Sequence, residues 1–122
     1  MKGRRTWVVL GLGVSALGAW YHNIQEGFST LTPETLAALV PAAALAAWWL
    51  LKPGRVLWWV SVGWVLLLNL AVGAVLSVLP LAIWPFVPEQ TTSHYTAHGI
   101  YLLAQLPAIY ALWLTRPTTA TH

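Results

Sequence analysis

The chain has 122 residues, 58% of them hydrophobic and only 7% charged, with a formal net charge of +3. Soluble domains run near a quarter charged, so these few ionic side chains cannot cover a water-soluble globule. That excludes a soluble enzyme and a disordered tail, and the absence of cysteine excludes a disulfide scaffold, a thiolate metal site and a cysteine nucleophile.

Nine tryptophans in so short a chain point the same way, to an integral membrane protein. The expected fold class is all-α, a four-transmembrane-helix bundle forming a single membrane domain over residues 1–122. Crossing a hydrocarbon core of about 30 Å takes about 20 apolar helical residues. Four segments meet that requirement, at about residues 7–24, 33–51, 56–79 and 93–115. Helices are expected because lipid leaves no open backbone hydrogen bond satisfied.

Span one follows Lys2, Arg4 and Arg5 and ends in the polar run Tyr21, His22, Asn23, Gln25 and Glu26. Residues 7–21 alone cover only about 23 Å, which draws His22 into the interface. A cleaved signal peptide is the rival reading of this segment. Span two opens on Thr32-Pro33-Glu34, a capping hydroxyl, an N1 proline and an acidic first turn. Pro41 marks its weak point, where a kink is expected. Lys52-Pro53-Gly54-Arg55 stops span two and starts span three. Pro80, Pro85 and Pro88 break the chain before span four, and Arg116-Pro117 ends it, leaving a polar tail that carries His122.

The charges sort by position. Lys2, Arg4, Arg5, Lys52, Arg55 and Arg116 fall on one side of a four-crossing chain, and Glu26, Glu34 and Glu89 fall on the other. The positive-inside rule then places both termini in the cytoplasm, with a prokaryotic-type plasma membrane as the expected location. The basic balance reports topology and anionic headgroups rather than nucleic acid. Most aromatics fit interfacial belts: Trp7, Trp48, Trp49, Trp58, Trp59 and Trp113 at the cytoplasmic ends, and Trp20, Tyr21, Trp84, Phe86 and Tyr95 at the outer ends. Trp64 lies deeper and suits packing.

Three helix faces carry small or polar residues, the material from which membrane helices build contacts. Span one has Gly11, Ser15, Gly18, His22 and Glu26 on one face; span three has Asn69, Gly73 and Ser77; span four has His94, His98, Tyr101 and Gln105. Asn69 and Gln105 read as interhelical hydrogen-bonding groups, or as contacts to a transported solute.

His94 and His98 stand at i and i+4, as do His22 and Glu26. If spans one and four are neighbours, His22, Glu26, His94 and His98 can surround zinc or copper, or the imidazoles can ligate haem. The bland alternative is interfacial hydrogen bonding. The H-x-x-x-H spacing lacks the glutamate of the H-E-x-x-H metalloprotease motif. Gly11-Leu12-Gly13 sits inside a helix and fails as a dinucleotide loop.

In size the chain is similar to small multidrug-resistance exporters. Their first helix carries a deep glutamate, whereas Glu26 closes span one here. The shortage of catalytic groups argues against an enzyme. The first expectation is a non-enzymatic accessory or scaffolding subunit, with a membrane-protein partner or a second copy of itself. A metal- or haem-binding membrane protein is the alternative, and an oligomeric small-solute or proton transporter using Asn69 and Gln105 beneath a histidine vestibule is the third, with Tyr101 as a further polar group inside the membrane.

Overall fold

The computed structural model describes residues 2–118; His122 lies outside them. Among the described residues there are helices and no strands: α1 (Lys2–Gln25), α2 (Pro33–Leu51), α3 (Arg55–Val62), a π-wound continuation Gly63–Val75, a 3-10 turn Leu76–Val78, α4 (Thr92–Leu103) and α5 (Leu106–Leu114). Three helical stretches are long and apolar enough to cross a membrane, at Pro33–Leu51, Arg55–Val78 and Thr92–Leu114. Helix α1 is as long as any of them, at 24 residues, but less apolar because of its polar last turns. It is central, packing against α2, α4 and α5.

Local sequence explains most boundaries. Gly27 adopts φ 91°, a conformation that suits glycine, and turns the chain just past α1. Pro33 opens α2 as expected, yet the Thr32 hydroxyl makes no cap. It donates instead to Ser29 O at 2.9 Å and lies 3.1 Å from the Thr35 hydroxyl. Helix α2 runs unbroken through Pro41. The interruption falls in the fourth segment, expected as one helix over 93–115, which is parted at Ala104 and Gln105. Pro107 accounts for this: it has no N–H to give the carbonyl four residues back, and its ring crowds that carbonyl.

The third segment, expected as a regular helix over 56–79, changes its winding at Gly63. In a π turn each N–H reaches one residue further back. Asn69 follows the wider turn, its Nδ2 donating to Trp64 O at 2.9 Å.

Arg4 Nη1 donates to Leu114 O at 3.1 Å, and Trp58 Nε1 to Leu112 O at 2.8 Å. The start of α1, the start of α3 and the end of α5 therefore share one end, here the basic end. The main apolar core sits in that half and includes Val8, Leu12, Leu57, Val65, Ala108 and Leu112. Trp49 belongs to it as well. Expected in an interfacial belt, it is buried and donates to the Ser61 hydroxyl at 2.9 Å, because its face of α2 points into the bundle. Trp7, Trp48, Trp59 and Trp113 are exposed on the bundle surface. Trp64 packs against the core edge.

Candidate metal centre

The stripes on the first and fourth segments meet each other, antiparallel and in register. From the basic end upward, Gly11 lies against the Ala108 backbone, where a Cβ on residue 11 would come within 2.6 Å of Ala108 Cα. Ser15 donates to Gln105 Oε1. Gly18 faces Tyr101 and Ala104. His22 Nε2 lies 2.8 Å from His98 Nε2, and Glu26 Oε1 lies 2.5 Å from His94 Nδ1. Small residues permit the close approach, and the same register then carries the ionisable residues into contact.

The third face joins from the side. Tyr101 donates its hydroxyl to Asn69 Oδ1 at 2.8 Å, Gly73 lies beneath that hydroxyl, and Ser77 donates to Gly73 O at 2.6 Å. Gln105, with 0% exposure, also donates to Tyr101 O at 3.1 Å. Among the described residues no buried side-chain nitrogen or oxygen lacks a partner. Tyr101 with Asn69, and Gln105 with Ser15, thus hydrogen-bond one helical segment to another.

The four residues His22, Glu26, His94 and His98 converge, one ligand atom from each lying within 4.8 Å of the others. His94 and His98 are buried and His22 and Glu26 half-buried. Thr91 positions His94 by capping α4, its hydroxyl accepting from the His94 N–H at 3.2 Å. The imidazoles touch directly, with ring centroids 4.2 Å apart for His22 and His98 and 4.6 Å for His94 and His98. As they stand the rings leave no slot for a macrocycle between them, and the four ligand atoms are grouped on the scale of a single ion's ligand set.

The outer hydrogen bonds of two rings sharpen the chemistry. His98 Nδ1 lies 3.0 Å from Ala74 O, and a carbonyl can only accept. His22 Nδ1 lies 2.9 Å from Asn23 Oδ1, while the Asn23 amide nitrogen faces the Thr35 hydroxyl at 3.3 Å. His98 therefore carries its proton on Nδ1 when neutral and accepts at Nε2. His22 Nε2, 2.8 Å away, can donate to it as a neutral ring. Either ring can instead turn its Nε2 lone pair to a metal ion placed among the four residues. Imidazoles tied by the distal N–H to a carbonyl or amide oxygen are also how metal-ligating histidines are oriented.

A cavity of about 470 Å³ opens beside the cluster, lined by its four residues together with Glu34 and Glu89. Its wall is the segment between Val78 and Thr92, tied back by Gln90 Nε2 to Val78 O at 2.8 Å and by Trp84 Nε1 to Leu76 O at 3.1 Å.

Sequence reasoning placed the four ligand candidates on facing stripes. It missed the Ala74 carbonyl, Asn23 as the group orienting His22, and the approach of Glu89 to His94 at 3.9 Å. Asn23 carried a readable signal, an amide beside a histidine. The carbonyl carried none, since its exposure depends on the winding of the third segment. Comparison with protein families, curated proteins and solved structures finds no match.

Proposed function

We propose that this chain is a membrane metal-binding protein that holds one divalent transition-metal ion through His22, Glu26, His94 and His98. The observation that carries the reading is the convergence of these four side chains, one ligand atom from each lying within 4.8 Å of the others. Zinc binds imidazole and carboxylate at about 2.0–2.2 Å, which sets ligand atoms about 3.3 Å apart in a tetrahedron. The present separations, none above 4.8 Å, reach that spacing by side-chain shifts of about 1–2 Å. Three nitrogens and one oxygen, with no sulfur, favour zinc or copper(II) over copper(I).

The same reading takes α1 as a fourth crossing helix, with both ends of the chain in the cytoplasm and the cluster at the outer end. Support comes from the segregation of charge: Arg4, Arg5, Lys52, Arg55 and Arg116 lie at the basic end, and the acids lie opposite. The accessory role expected from composition becomes that of a metal-holding subunit in a plasma membrane of prokaryotic type.

The test is metal analysis of the detergent-purified protein before and after zinc and copper(II) are added. One ion per chain is expected, lost on replacing His98 by Ala. A chain that takes up neither metal sinks the proposal. A tag at residue 90, reachable only from outside intact cells, checks the orientation independently.

A further inference from the structure

The cavity beside the cluster is lined by Glu26, Glu34 and Glu89, which are all the acidic residues of the chain, and among the described residues by no lysine or arginine. Three histidines line it as well, and His98, only 4% exposed, meets His22 there with the two Nε2 atoms 2.8 Å apart. Glu34 and Glu89 are exposed at the mouth, while Glu26 is half-buried on the floor beside His94. Glu89 Oε2 stands 3.9 Å from His94 Nδ1, so the mouth and the floor are in reach of each other.

We infer that this cavity is an entry vestibule for divalent cations, in which Glu34 and Glu89 capture a hydrated ion and deliver it to the histidine cluster. The ion is then exchangeable, loaded from the face where the acids lie, and not a structural metal sealed in during folding. A cleft carrying one sign of charge between low-dielectric walls focuses the field and raises the local concentration of counter-ions. Apolar walls are present here in Phe28, Phe86 and Val87. An anionic substrate is disfavoured by the same carboxylates. The inference rests on the metal-binding reading above and adds to it the route, the direction of loading and the sign of the cargo.

The test uses the full chain in detergent, with zinc ion alone as the probe and the rate of uptake as the readout. In the double variant Glu34→Gln with Glu89→Gln, uptake is expected to slow about tenfold, the low end of electrostatic focusing. It should still reach one zinc per chain, because the four ligands remain. In the wild-type chain, raising the salt towards 1 M, where the Debye length is about 3 Å, should slow uptake by a similar factor, and the double variant should be nearly indifferent to salt.

Equal rates in wild type and variant overturn the vestibule while leaving the metal site standing. A wild-type chain that takes up no zinc overturns the metal reading itself and the vestibule with it. Should the variant fail to fold, the salt dependence of the wild type decides alone, and a salt-independent rate rejects the inference.

Discussion

The two ends of the bundle are built on one pair of facing stripes and held by different physics. At the basic end, Gly11 meets the Ala108 backbone, and Val8, Leu12, Leu57 and Val65 close a tightly packed apolar core. At the histidine end, the buried apolar core shrinks to Ala19, Ala74 and Tyr101, and the contacts beyond it are between titratable rings and a carboxylate. Close backbone approach at one end sets the helix register, and the register decides which polar groups meet at the other. The packed end fixes geometry; the polar end uses it.

The comparison breaks most severely at Gly11. Replacing it by Leu puts a branched side chain where even a Cβ lies 2.6 Å from Ala108 Cα. Overpacking of this kind costs about 1–3 kcal/mol and more where backbone must move, so loss of the folded bundle in a denaturing-detergent titration is expected. Zinc binding should disappear with it, although residue 11 is far from the cluster.

The second prediction separates the ends. His98→Ala should weaken zinc binding by more than the 10–100-fold that loss of an orienting group costs, while the metal-free protein stays as stable as wild type to within about 1 kcal/mol. Zinc at a hundred times its Kd should stabilise the wild type by about 2.7 kcal/mol and leave the variant unchanged.

Asn23→Leu removes the hydrogen-bond partner that orients the His22 ring. The expected loss of zinc affinity is about 10–100-fold, read by competition with a metal-sensitive dye. An unchanged affinity means that the His22 ring is oriented otherwise.

The smallest effect belongs to the joint between the ends. Tyr101→Phe deletes the hydrogen bond to Asn69, and such bonds between membrane helices average about 0.6 kcal/mol. Stability should fall by that order, with zinc affinity unmoved. A large loss of affinity would place Tyr101 in the site and not below it.

Much of this was legible in residue spacing. His22 with Glu26 and His94 with His98 share helical faces because of the 3.6-residue turn, and Gly11, Ser15 and Gly18 extend one of those faces downward. Proline marked the break before the fourth segment and the start of α2. The helix continues through Pro41, and the interruption in helical assignment comes just before Pro107. A proline disrupts its helix only as far as neighbouring packing lets it, and packing is not written in spacing. Trp49 misled for the same reason, since an indole near a helix end enters a belt or a core according to the direction its face takes.

Composition alone pointed to helices long and apolar enough to cross a membrane, because few charges and long apolar runs leave a backbone in lipid no other way to satisfy itself. The order of residues determined which faces are small and polar. Only the tertiary structure decided that the first and fourth segments are neighbours and that the third winds wide enough to set the Ala74 carbonyl against His98. It alone brought the chain's three acids around one cavity. Those are long-range contacts, set by which helices pack together and at what register, and one chain read along its length does not contain that choice.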